Sequence, residues 1–147
     1  MIRPVAFADR QQYITMCKEF YHSDAVLHPV SEDYFQRTFD ALMEHTPYAA
    51  AYIFEQDGET AGYALLAKSL SQEAGGIVLC IEELYIRPQF QGHGLGTAFF
   101  RFLEGQNDGT VKRYRLEYEQ DNVRGAALYR RLGFVPLTYG QMIKEVK

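Results

Sequence analysis

The chain has 147 residues, 47% hydrophobic and 14% aromatic, the length and composition of one domain with a sizeable core. Its formal net charge of -4, from 19 acidic and 15 basic side chains without a run of either sign, argues against a nucleic-acid partner. Cys17 and Cys80 lack C-x-x-C spacing and a histidine cluster, so buried free thiols and no metal are expected. The longest unbroken apolar run, 77–81, is too short to cross a bilayer, and the start carries no long apolar leader, so a cytoplasmic protein without membrane contact is expected.

No repeat or low-complexity segment interrupts the chain, and a single domain over 1–147 is expected. A short strand opens at Ile2 to Val5. Tyr13, Met16, Cys17, Phe20 and Tyr21 then keep helical spacing. A second helix begins after Ser31, an N-cap residue, with Val30 placed to staple against Phe35 and with Phe39, Leu42 and Met43 continuing the stripe before Pro47. Tyr52 to Phe54 and Tyr63 to Leu66 flank Gln56-Asp57-Gly58-Glu59, which predicts a hairpin. Ser69 to Gly76 reads as a polar loop, and Ile77 to Ile86 as a central strand covered on both faces.

Leu95, Ala98, Phe99, Phe102 and Leu103 predict a helix, Val111 to Tyr118 a strand, and Ala126 to Leu132 a helix stopped by Gly133. Phe134-Val135 and Tyr139 to Val146 read as a final pair of strands. The order βααβββαβαββ predicts an α/β (α+β) fold, a mixed sheet with helices on both faces.

The segment from Leu84 to Gly96 runs a buried strand through a turn directly into an amphipathic helix, with Gly92, Gly94 and Gly96 at the junction. Alternate glycines let backbone N–H groups approach a ligand, and the helix start adds unpaired donors and a positive dipole end, which suits a phosphate. A plain tight turn is the alternative use of such glycines. A P-loop is excluded because Thr97-Ala98 stand where Lys and Ser/Thr are required. The dinucleotide pattern fails because Thr97 or Phe99 occupies its third glycine position.

Gln91-Gly92-His93-Gly94-Leu95-Gly96 resembles the Q/R-x-x-G-x-G/A signature of the GNAT superfamily of acyl-CoA-dependent N-acyltransferases, and Ile86-Arg87-Pro88 resembles its lead-in. Asp121 to Phe134, an Asn followed by a helix bearing Tyr and closing on Gly-Phe, resembles the second recurrent segment of that family. The resemblance implies a mostly antiparallel central sheet and acetyl-CoA as cosubstrate without a metal. It further implies that backbone donors of Gln91, Gly92, His93, Gly94, Leu95, Gly96 and Thr97 bind the coenzyme A diphosphate. Leu84, Tyr85 and Ile86 would bind the pantetheine in strand fashion. Asn122 would hydrogen-bond the same arm, and Tyr129 would act as general acid at the thioester sulfur. Asn122 and Tyr129, seven apart, return to nearly the same helix face; each also fits a structural role, Asn122 as N-cap and Tyr129 as core aromatic.

Glu82 and Glu83 interrupt the apolar central strand, where alternation sends one carboxylate to each side of the sheet. By resemblance Glu82 is the general base that deprotonates the amine, with Glu83 the second choice. Ion pairing with Arg113 or Arg115 is the structural alternative. Cys80 offers a covalent route, but no histidine or acidic partner is recognisable beside it. The expected function is acetyl transfer to a primary amine of a small molecule or peptide. A regulatory coenzyme A-binding module without catalysis is the alternative. Tyr21, His22, Asp24, His28, Tyr34 and Phe35 are the expected substrate-side residues, and the resemblance suggests a homodimer through the C-terminal strands.

Overall fold

A computed structural model describes residues 1–23 and 30–146. The first strand, β1 (Ile2–Pro4), is followed by a single tight turn of helix and then α1 (Arg10–Tyr21), which buries Tyr13, Ile14, Met16, Cys17 and Phe20 along one stripe. In α2 (Glu32–Met43), Phe35, Phe39 and Leu42 are buried, and Glu32 and Asp33 place negative charge in the first turn, where the helix dipole favours it. Ser31 takes an extended N-cap backbone without a side-chain cap bond, and Val30 packs into the same cluster as Phe35. Lys18 pairs with Glu32 and ties the two helices together. Asp24 and His28 lie outside the described residues.

Strand β2 (Ala49–Gln56) turns into β3 (Glu59–Ser71) through Asp57 and Gly58, both left-handed at φ 53° and 79°, as a two-residue hairpin loop requires. The expected polar loop over 69–76 is shorter: β3 runs to Ser71, β4 (Gly76–Ile86) starts at Gly76, and these two residues face each other across the ladder. The strand period continues through the polar residues because main-chain pairing does not need an apolar side chain. Helix α3 (Leu95–Gln106), β5 (Val111–Leu116) and α4 (Val123–Arg131) follow, and Gly133 at φ 91° ends the last helix.

The five strands lie in chain order, antiparallel from β1 to β4, with β5 parallel to β4. Helices α1 and α2 bury their stripes on one face against Ala51, Ile53 and Tyr63. On the other face α3 packs Phe99, Phe100 and Leu103 against Phe54, Leu66 and Ile81, with Tyr129 of α4 alongside. This is the expected mixed, mostly antiparallel sheet with helices on both faces. Cys17 and Cys80 are buried free thiols. Among the described residues no helix is long and apolar enough to cross a membrane.

The final pair of strands is not formed: residues 134–146 carry no strand in this structure. The alternation read from the sequence is present, but beyond Phe134, which packs against Phe100 and Tyr129, the apolar side chains Val135, Leu137, Tyr139, Met142, Ile143 and Val146 are exposed, and a strand exists only where a second backbone pairs with it.

Candidate active site

The central strand contains an irregularity that decides where its acids point. Leu65 faces Glu83 and Leu66 faces Ile81, so Glu82 has no opposite residue on β3 and forms a β-bulge. The extra residue flips the alternation. Leu79, Ile81, Leu84 and Ile86 all pack on the α3 face, whereas Tyr85 joins the α1/α2 cluster and Glu83 meets tyrosines from that side. Simple alternation along a regular strand would have put Ile81 and Glu83 on one face.

Glu82 is exposed at the bulge, and Glu83 is buried. Neither arginine considered from the sequence holds Glu83. Its Oε2 accepts a 2.6 Å hydrogen bond from the Tyr21 hydroxyl and its Oε1 one of 2.6 Å from the Tyr63 hydroxyl. Burial pushes the Glu83 carboxyl above the usual carboxylate range, and the two phenol donors act in the opposite direction. Arg113 instead lies 3.7 Å from Glu73. Burial pushes the Cys80 thiol up to about 11, so it holds its proton at neutral pH and is a poor nucleophile.

Pairing between β4 and β5 ends at Ile81 and Leu116, while β4 runs on to Ile86 paired with β3 alone. From Glu82 onward the other backbone edge of β4 therefore pairs with no strand; Leu84, Tyr85 and Ile86 lie on this stretch. Gly62 on β3 accommodates that end of β4, since a Cβ there would stand 2.2 Å from the Tyr85 carbonyl oxygen. Arg87 anchors the strand end, donating to the Glu19 carboxylate at 3.2 Å and to the Thr60 carbonyl at 3.1 Å.

The glycine-rich turn follows directly. Gly92 and Gly94 are left-handed at φ 80° and 79°, and residues 91–94 are exposed. Gly94 caps α3, and the first intrahelical bond runs from the Ala98 N–H to the Gly94 carbonyl. The N–H groups of Leu95, Gly96 and Thr97 precede it and point out of the helix end, where an anion is favoured. Gln91 braces the turn by donating Nε2 to the Ile86 carbonyl at 3.0 Å, and the His93 ring nitrogen Nδ1 lies 3.1 Å from the Phe90 carbonyl oxygen. Gly96 sits close under α4, where a Cβ would lie 3.0 Å from Leu128 Cδ2.

Phe100 of α3 and Tyr129 of α4 pack ring edge to ring face and set the two helices side by side. Asn122 is the α4 N-cap, its Oδ1 accepting the Gly125 N–H at 3.0 Å. Tyr129 sits seven residues along, half-buried between the rings of Phe100, Tyr118 and Phe134. Burial pushes its phenol up, so it keeps its proton through the neutral range.

Arg124 is a residue that sequence reading missed. Its Nη1 donates to Gln91 Oε1 at 3.3 Å, and its Nη2 lies 3.4 Å from where a Gly92 Cβ would stand, which adds positive charge at the turn. A cation in the first turn of a helix opposes the dipole, and that mismatch was the available signal. On the opposite side of the sheet Tyr21, His22 and Phe35 line a cavity of about 210 Å³ together with Lys18, Val30 and Glu32. Tyr34 is exposed and apart from it.

The chain is 36% identical over 91 residues to the mycothiol acetyltransferase of Streptomyces coelicolor, an alignment covering 59% of this chain and 27% of that protein. It thus spans about a quarter of that relative's length. A possible acetyltransferase from Clostridium difficile 630 superposes with a TM-score of 0.85 at 16% identity, covering 100% of this chain and 97% of the other. AAC(6')-Iy, solved in complex with a bisubstrate analog, CoA-S-monomethyl-acetylneamine, gives 0.80 at 14% identity over 100% and 98% of the two chains. At these identities the two structures establish a common fold. The Acetyltransferase (GNAT) family model matches residues 14–134, through the glycine-rich turn and the whole of α4, and the chain belongs to that family of acetyltransferases.

Proposed function

We propose that this chain transfers the acetyl group of acetyl-CoA to a primary amine on a small molecule or peptide. The observation that carries the reading is the end of β4. An unpaired strand edge from Glu82 to Ile86 leads into a left-handed glycine turn whose helix start offers the N–H groups of Leu95, Gly96 and Thr97. An extended pantetheine arm fits the edge, and its diphosphate fits the turn, with Arg124 contributing charge. Asn122 at the head of α4 hydrogen-bonds the same arm through its amide group while its Oδ1 caps the helix.

An amine with a pKa of ~10 reaches the site protonated, and only its neutral form attacks a thioester carbonyl. Glu82 takes that proton, directly or through one or two waters, because it is exposed at the bulge whereas both oxygens of Glu83 are engaged by tyrosines. The amine nitrogen bonds to the carbonyl carbon, backbone N–H groups on the open edge of β4 polarise the carbonyl oxygen, and the carbon–sulfur bond breaks. Tyr129 delivers its hydroxyl proton to the leaving thiolate, and the second proton that the nitrogen sheds on becoming an amide returns through water to the phenol, while Glu82 releases the first to solvent. No acyl-enzyme is required.

The similarity to a mycothiol acetyltransferase and to an enzyme complexed with an acetylneamine analog supports an amine acceptor. The test is release of free coenzyme A thiol from acetyl-CoA in the presence of aminoglycosides, polyamines and peptide N-termini. Amine-dependent release with at least one class is expected. Saturable acetyl-CoA binding with no amine-dependent release across the panel would make the chain a binding module instead.

A further inference from the structure

Two registers are open to the second half of β4. In the observed one Leu65 faces Glu83 and Ala64 faces Leu84, with Glu82 left over as the bulge. A slip of one position would make the ladder regular, with Glu82 opposite Leu65 and Glu83 opposite Ala64. The two registers exchange the glutamates. Leu65 belongs to the face that α1 and α2 cover, and Ala64 to the apolar cluster with Phe54 and Phe99 under α3. The slipped strand would turn Glu82 inward toward the tyrosines and set the Glu83 carboxyl against apolar side chains. A bulge gives up ladder pairing at its extra residue, so side chains must favour it.

Glu83 supplies that preference. It is buried, and each of its oxygens accepts a 2.6 Å hydrogen bond, one from Tyr63 on β3 and one from Tyr21, the last residue of α1. Neither donor is loose. The Tyr63 ring lies 6.2 Å from that of Tyr85, its partner across the ladder, and the Tyr21 ring is held 5.0 Å from Phe20 and 5.4 Å from Phe35. The carboxyl thus pins β4 to the neighbouring strand and to a helix at once, and moving it would leave buried polar groups without partners. One residue earlier, Glu82 stays exposed.

We infer that Glu83 is a positioning residue for acetyl transfer: held by Tyr21 and Tyr63, it locks β4 in the bulged register and so decides which of two consecutive glutamates stays exposed to the acceptor amine. It touches neither substrate and acts through Glu82. The inference rests on the reading of Glu82 as the base.

The experiment compares Glu83→Leu, Glu83→Gln and Tyr21→Phe, each alone and combined with Glu82→Gln, in turnover and in deuterium uptake of the backbone amides of residues 82–86. Glu83→Leu is expected to lower turnover by about 10²-fold, as loss of a positioned base does, and its combination with Glu82→Gln to fall no more than about threefold below either single variant, because both changes remove one function. Glu83→Gln, whose amide can still meet both phenols, is expected to stay within about threefold of wild type. Uptake at 82–86 should rise in Glu83→Leu and match wild type in Glu83→Gln. If Glu83→Leu fails to fold, Tyr21→Phe, which keeps its ring against Phe20 and Phe35, enters the same comparison, with a loss of about five- to tenfold expected. Uptake is read without an acceptor, so the hold on the bulge is tested even where no amine reacts. Losses that multiply in the double variant, turnover in Glu83→Gln as low as in Glu83→Leu, or unchanged uptake in the variant used overturns the inference. Wild-type turnover in Glu82→Gln would overturn the base reading and this inference with it, whereas a slow Glu82→Gln beside a fully active Glu83→Leu would overturn this inference alone.

Discussion

The Tyr63 hydroxyl donates a 2.6 Å hydrogen bond to Glu83 Oε1 across the β3/β4 ladder, inside the sheet face that α1 and α2 cover. With Tyr21 on the other oxygen, two phenols hold a buried carboxyl whose ionisation burial opposes. The folded protein therefore binds the Glu83 proton more tightly than the unfolded chain does. Stability from this group is present at low pH and declines as pH rises from the ordinary carboxylate range through the raised folded value. Glu83→Gln should flatten that decline, seen as a smaller fall of unfolding free energy between acid and neutral urea titrations than in wild type. Tyr63→Phe should cost about 1–3 kcal/mol at neutral pH, because it strips a donor from a buried carboxylate.

Glu82→Gln should slow acetyl transfer by about 10²-fold at neutral pH, the usual contribution of a positioned base, while leaving the dissociation constant of acetyl-CoA within about twofold. Steady-state rates paired with a binding titration check it. The loss should shrink at higher pH as more of the amine arrives neutral, a pattern that a merely structural glutamate would not give.

Tyr129→Phe should lower turnover by about ten- to a hundredfold and leave acetyl-CoA affinity nearly unchanged, since only the hydroxyl is removed from a side chain whose ring is packed between Phe100 and Phe134. Equal losses in turnover and affinity would assign Tyr129 to packing alone.

Gly62→Ala should destabilise the fold by about 1–3 kcal/mol, because its Cβ would meet the Tyr85 carbonyl oxygen at 2.2 Å and separate β3 from β4 at the open end of the site. Urea unfolding reads the stability loss, and a parallel drop in acetyl-CoA affinity is expected because the displaced strand is the one proposed to bind the pantetheine.

What was legible in the sequence follows from range. The Asp57-Gly58 turn, the α1 and α3 stripes and the strand-to-helix glycine turn are set by residues within a few positions of each other, and each is where the pattern put it. The Glu83 clamp was not legible because its donors lie 62 and 20 residues away. The bulge at Glu82 was hidden for another reason: an extra residue inside an apolar run leaves alternation looking intact while reversing the faces beyond it. The C-terminal strands were misread because a strand pattern states a capacity to pair and says nothing about where the partner is. Arg124 belongs to no motif of the sequence, and only its contact with Gln91, 33 residues away, places it at the turn.

The most direct measurement is a calorimetric titration of the folded protein with coenzyme A and, separately, with pantetheine, which lacks the diphosphate. Saturable binding of coenzyme A at one per chain is expected, with pantetheine weaker by at least about tenfold, or ~1.4 kcal/mol. Absence of heat with coenzyme A, or equal affinity for the two ligands, would contradict a diphosphate held by the main-chain donors at the start of α3.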